Sequence, residues 1–132
     1  MMPEEQALVQ YRLERAHEAL AEAKLLFEAG HLHTYVNRLY YACFYAMSAL
    51  LLTRGLSASK HTQVRALLHR EFIRPGTIPL KYGQIFDLLF NNRQKGDYSD
   101  LVEFRAEQIK DWLPQAREFV EYAAGMATQE SP

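Results

Sequence analysis

The chain has 132 residues, the length of one domain and enough to bury most of its apolar surface without covalent staples. Its single cysteine, Cys43, lies in an apolar run, which excludes a disulfide framework and a cysteine-based metal site and fits a reducing compartment. The net charge of −1 hides a polarised chain: residues 1–30 hold six acids and three bases, residues 31–96 two acids and nine bases, and residues 97–132 eight acids and three bases. Such a basic middle either attracts anions through its local potential or only solvates helix faces.

Apolar positions recur at helical spacing from the start. Pro3 suits a first turn, and Leu8, Tyr11, Ala16, Leu20, Ala23 and Phe27 form a stripe up to about Glu28, with Glu14, Glu18 and Glu22 facing water and Gly30 as the stop. A second helix is predicted from about His33 to Thr53, closed by Gly55. Tyr35, Leu39, Tyr40, Tyr41, Phe44, Tyr45, Met47, Leu50, Leu51 and Leu52 cover nearly its whole circumference, which suits a central helix or an oligomer interface. Its polar Asn37 and Arg38 therefore require partners.

A third helix follows Ser57 or Ser59 as N-cap and carries His61, Val64, Leu67, Leu68 and Phe72 until Pro75-Gly76 ends it. A fourth starts near Pro79, uses Tyr82, Ile85, Phe86, Leu89 and Phe90 as its stripe, and is expected to end at Gly96. The last is expected from about Arg105 to Met126 through Ile109, Trp112, Leu113, Ala116, Phe119, Val120 and Ala123, with a kink at Pro114. Together these predict an all-α, antiparallel up-and-down bundle of four to five helices, one domain over residues 1–127 with a frayed tail at 128–132.

The longest apolar run, Leu39 to Leu52, is bracketed by Arg38 and Arg54 and falls short of the roughly 18 residues of a membrane span. The N-terminus carries acids and lacks the basic start and apolar stretch of a signal peptide, so a soluble, cytoplasmic protein is expected. None of the five histidines, His17, His31, His33, His61 and His69, is four residues from another, so no helical two-histidine metal site and no cofactor is predicted. Neither a strand-borne glycine-rich phosphate loop nor a Gly-x-Ser-x-Gly elbow is present.

Three clusters remain: NRLYYACFYAMSALL from Asn37, SKHTQVRALL from Ser59 and FNNRQKGDY from Phe90. In that order, on the second, third and fourth helices of a small bundle, they resemble the HEPN domain (higher eukaryotes and prokaryotes nucleotide-binding), in its small single-domain prokaryotic branch, over roughly residues 5 to 125. The specific parts are Arg38 followed by the Tyr40–Tyr41 pair, Ala42 and Phe44, and the run from Arg93 to Asp97-Tyr98. The resemblance implies a helical bundle, commonly a homodimer, that binds nucleotide or RNA and forms the toxin-like half of a toxin–antitoxin-like pair with a nucleotidyltransferase partner. Its alternatives are a metal-independent endoribonuclease using Arg93 and an interaction bundle without ligand.

The active motif of such ribonucleases is an Arg, four to six residues, then a His, with a polar residue often directly after the Arg. Arg93 matches the arginine and Gln94 the polar residue, but the positions expected to hold His carry Tyr98, Ser99 and Asp100. Metal-free RNA cleavage needs a base, an acid and a cation for the phosphorane charge. Arg93 supplies the cation, whereas Tyr98, a phenol of pKa about 10, suits donation, stacking or modification better than proton abstraction. His61 offers the missing imidazole only if the third helix approaches the end of the fourth.

Asp97 is expected to pair with Arg38 and so fix the loop beside Arg93. Lys60 and Arg65, with Arg70 and Arg74, give the third helix a basic side that either extends the Arg93 site as a phosphate-tracking groove or is ordinary surface. The bland alternatives are that Arg93 and Lys95 merely complement the negative end of their helix, that the tyrosines are core, with Tyr45 at a dimer contact, and that His61 is a capping residue.

Overall fold

The structure, a computed structural model, describes residues 2–98 and 103–129, with the backbone alone for residues 94–98. Its elements are α1 (Pro3–Glu28), α2 (Leu32–Thr53), α3 (His61–Leu68, continued by a π-helical turn over His69–Ile73), α4 (Leu80–Tyr98), α5 (Ala106–Ile109) and α6 (Trp112–Ala127). The fold is an all-α helical bundle, with no strand among the described residues.

The centre is α2, which packs on α1, α3, α4 and α6. Tyr35, Val36, Leu39, Tyr40, Cys43, Met47, Leu50 and Leu51 are all buried along it, so the near-continuous apolar circumference belongs to a central helix. Each such side chain contributes about 1.5–3 kcal/mol on leaving water. Burial also pushes the Cys43 thiol well above its ordinary range.

The core face of α1 is Val9, Leu13, Ala16, Leu20 and Ala23, spaced four, three, four, three as an apolar helical seam requires. The expected stripe is displaced in its first half: Leu8 and Tyr11 are exposed, and Val9 and Leu13 are buried in their stead. Alanines at 16, 19 and 23 are buried, and side chains this small let backbones approach closely. The stops at Gly30 and Gly55 hold, both with left-handed φ (81° and 70°). In each the following amide reaches back to close the turn, His31 to the Leu26 carbonyl and Leu56 to the Leu51 carbonyl, both at 2.9 Å.

Three expectations are corrected. The residue flanking α3 is Lys60, in extended backbone and without a side-chain cap, not Ser57 or Ser59, and His61 becomes the first helical residue. α4 runs through Gly96 to Tyr98, since an interior glycine costs a helix only about 1 kcal/mol. The last segment does not kink at Pro114; it breaks at Lys110–Asp111 into α5 and α6. Pro114 then falls in the first turn of α6, where a missing N–H costs nothing.

The break is pinned by the buried Tyr35, whose hydroxyl donates to the Ile109 carbonyl (2.8 Å) and accepts from the Leu113 amide (3.2 Å). Burial raises its phenol pKa to about 12, so it remains a donor at any ordinary pH. At the same joint Trp112 meets Phe104 edge-on with ring centroids 6.3 Å apart, and Phe104 meets His33 at 5.0 Å.

Candidate functional site

Two consecutive tyrosines of α2 form the floor. Tyr40 is fully buried, ringed by Phe86, Phe90 and Phe44 with centroids 5.8, 5.9 and 6.0 Å away. Tyr41, one residue on and half-buried, meets the Tyr40 ring edge-on at 5.4 Å. Over this pair α4 lays Arg93: its guanidinium carbon is 5.2 Å from the Tyr40 ring centre and 5.4 Å from that of Tyr41, and Nη2 donates to the Tyr41 hydroxyl at 3.3 Å. Cation–π contacts of this kind contribute about 0.5–2 kcal/mol each, depending on desolvation.

The same floor holds His61. Its Nδ1 lies 2.8 Å from the Tyr40 hydroxyl, and its ring packs on Phe44, Tyr40 and Tyr41 at 4.4, 5.5 and 5.6 Å. Burial among these rings, and then the charge of Arg93, lowers the His61 pKa, so the imidazole is neutral near pH 7. Burial pushes the Tyr40 phenol far up, partly offset by Arg93, and that hydroxyl keeps its proton. With Nδ1 engaged, Nε2 is the nitrogen left to a ligand: a donor when Tyr40 gives its proton to Nδ1, an acceptor when Nδ1 carries the hydrogen.

The site continues along the seam between α3 and α4. His61, Arg65 and His69 recur every four residues and meet Phe90 and Asp87 further down α4. Arg65 lies 4.8 Å above the Phe90 ring centre while its Nε donates to Asp87 Oδ1 at 2.8 Å. The same oxygen is 2.9 Å from His69 Nε2. His69 opens the π-helical turn, closed by the Arg74 amide on the His69 carbonyl at 2.9 Å. Opposite it stands Gly83, where an added Cβ would come within 3.0 Å of His69 Cε1 and 3.2 Å of Ile73.

Of the residues singled out by sequence, His61, Arg65 and Arg93 are brought together on one aromatic floor. Lys60 is exposed at the entry to α3. Arg38 stands at the rim: it donates through Nε and Nη2 to Asn37 Oδ1 (3.1 and 2.8 Å), has Nη1 3.7 Å from Glu22, and lies 5.0 Å over the Tyr41 ring. The side chains of Gln94, Asp97 and Tyr98 lie outside the described residues, and with them the expected Asp97–Arg38 pairing. Tyr45, expected at a dimer contact, carries Arg15 of α1 at 5.5 Å.

Sequence reasoning missed His69 and Asp87, although the four-residue recurrence of His61, Arg65 and His69 was readable and Asp87 is one of two acids in the basic middle. Among the described residues no three His, Cys, Asp or Glu side chains converge as a metal site requires, and no helix is long and apolar enough to cross a membrane.

A helical bundle with the motif arginine near the end of α4 is the arrangement that the HEPN resemblance implied; the seating of that arginine on the tyrosine pair is a finding of the structure. The HEPN domain profile matches residues 9–126, and the chain belongs to the HEPN domain family. Among its relatives is a UPF0332 protein of Thermotoga maritima, 45% identical over 91% of both chains. Two proteins of Methanocaldococcus jannaschii, each named only provisionally as a toxin, are 40% identical over 82% of this chain and 87% of theirs, and 28% identical over 82% and 74%.

Proposed function

We propose that this protein is an RNA- or nucleotide-binding HEPN module, the toxin-like half of a two-gene pair whose other member is a nucleotidyltransferase. The observation that carries the binding is Arg93 lying on the Tyr40–Tyr41 pair. A guanidinium is planar and always charged and matches phosphate geometry, and the rings beneath Arg93 fix where it lies. The provisional toxin names of the two archaeal relatives support the toxin-like half.

A second reading, cleavage of RNA without a metal, is favoured by one contact, the His61–Tyr40 hydrogen bond at 2.8 Å. It sets an imidazole on the floor that carries Arg93, although the motif lacks its histidine. In that reaction Nε2 of His61 takes the proton of the 2′-hydroxyl as O2′ bonds to phosphorus, the P–O5′ bond breaks with its electron pair on O5′, and an acid returns a proton to that oxygen. Arg93 stabilises the charge on the phosphorane oxygens.

One experiment separates these readings: incubate the protein with single-stranded RNA in EDTA, and follow binding and RNA integrity for wild type, Arg93→Ala and His61→Ala. Binding lost in Arg93→Ala with RNA intact throughout supports the binding module. Cleavage that survives chelation and disappears in both variants supports the nuclease, and binding indifferent to Arg93→Ala rejects the site.

A further inference from the structure

The cluster of Arg65, Asp87 and His69 has no part in the reading above, and its construction is more than an interhelical tie needs. One carboxylate oxygen takes both Arg65 Nε at 2.8 Å and His69 Nε2 at 2.9 Å. All three side chains remain between about a quarter and two fifths exposed, at 37%, 31% and 28% for Arg65, Asp87 and His69. Because Asp87 is met through Nε, both Nη groups of Arg65 are left for an anion, in the fork that matches two phosphate oxygens. The guanidinium also rests on Phe90, and Phe90 rests on Tyr40. The aromatic floor under Arg93 is therefore continuous with the one under Arg65.

Two further features seat the histidine. The π-helical turn begins at His69, and single π-helical turns of this kind recur at functional sites. Position 83 has room for little more than glycine beside the His69 ring. Arg65 rests on Phe90 and Arg93 on Tyr40 and Tyr41, with the Phe90 and Tyr40 ring centroids 5.9 Å apart, so the two guanidiniums stand on neighbouring rings, as contacts to successive phosphates of a strand would.

We propose that Arg65, aimed by Asp87 and His69, is a second phosphate subsite on the same track as Arg93, and that the ligand is an RNA strand crossing both, not a mononucleotide. The proposal rests on the reading of Arg93 as a phosphate cation. Asp87 is a positioning residue in it. An acid beside a phosphate track repels the ligand unless its charge is taken up, and here Arg65 pairs with it while His69 lies within hydrogen-bond distance of the same oxygen.

The test measures, by fluorescence anisotropy in EDTA, the affinity for a short single-stranded RNA across a salt series and, by competition or calorimetry, the affinity for AMP. Melting temperatures confirm that each variant is folded. Arg65→Ala weakens the strand by roughly tenfold, the size of one charge-assisted contact, and lowers the slope of log affinity against log salt by about 0.7. It leaves AMP unchanged, whereas Arg93→Ala weakens both. Arg65→Lys, which keeps the charge and loses the fork, recovers the salt slope but not the affinity.

Asp87 gives the sharpest outcome. If it aims Arg65, Asp87→Ala weakens the strand although it removes a negative charge, and Asp87→Asn restores part of the loss. Tighter binding in Asp87→Ala overturns the positioning role. Strand binding unchanged in Arg65→Ala while Arg93→Ala loses it overturns the second subsite alone, as does an equal loss of AMP in both variants. Binding untouched by Arg93→Ala overturns the reading beneath it.

Discussion

Two seams of this bundle share a buried apolar face and differ in how much charge their rims gather. Between α1 and α2 the packed face is alanine, leucine and valine: Ala16, Ala19, Leu20 and Ala23 are at most 5% exposed, and Arg12, Arg15 and Glu22 of α1 reach α2 at its edge, on the Ser48 carbonyl, the Tyr45 ring and Arg38. Between α3 and α4 the inner rows, Val64 and Leu68 with Phe86 and Leu89, are just as buried. The rim, however, is His61, Arg65 and His69 against Asp87 and Phe90, with Arg93 a turn above on the tyrosine floor. The first seam spends its surface on stability, and the second keeps a polar edge whose ion pairs, partly open to water, contribute only about 0–1 kcal/mol each. The proposed function gives these charges a ligand to hold.

That contrast can be broken by measurement. Leu20→Ala, in the apolar seam, should cost about 2–5 kcal/mol, read as a lower denaturant midpoint with little change in slope. Arg93→Ala should cost less, about 1–2 kcal/mol, since its contacts with the two tyrosine rings and its hydrogen bond to Tyr41 are partly open to water, yet abolish RNA binding. A loss of stability as large as that of Leu20→Ala would make Arg93 a structural residue and remove the contrast.

Asp87→Ala should fall within about 1 kcal/mol of wild type in chemical denaturation, because neither its ion pair with Arg65 nor its contact with His69 is sealed from water. The smallest effect is that of His61. Its pKa is lowered on folding, so the unfolded chain binds the proton more readily. Stability is then full above the unfolded value of about 6.5 and declines as pH falls below it. Thermal melts from pH 7.5 to pH 5.5 in His61→Gln, compared with wild type, should show a shallower decline in the variant; an equal decline would mean that the ring is not held neutral.

Much of the fold was legible because helical periodicity survives any packing arrangement. The stops at Gly30 and Gly55 need left-handed backbone, which the sequence announces through glycine alone. The circumference of α2 announces a central helix in the same way. The break at Lys110–Asp111 was not legible, because what makes it tolerable is the hydroxyl of Tyr35, more than seventy residues away. At the site, Arg93 was visible through its motif and Arg65 through its charge. The pairing of His61 with Tyr40 and the sharing of Asp87 depend on how α3 crosses α4, a distance between helices that no local pattern encodes. Asp97, Tyr98 and Gln94 remain legible only as motif.

The joint held by Tyr35 has a practical side. Trp112, the single tryptophan, opens α6 immediately after the break and stands against Phe104. Its emission therefore watches one hinge, while far-ultraviolet circular dichroism averages over every helix. If the two signals part company on heating, the C-terminal helix is undocking before the bundle melts, and the chain carries its own built-in gauge of that event.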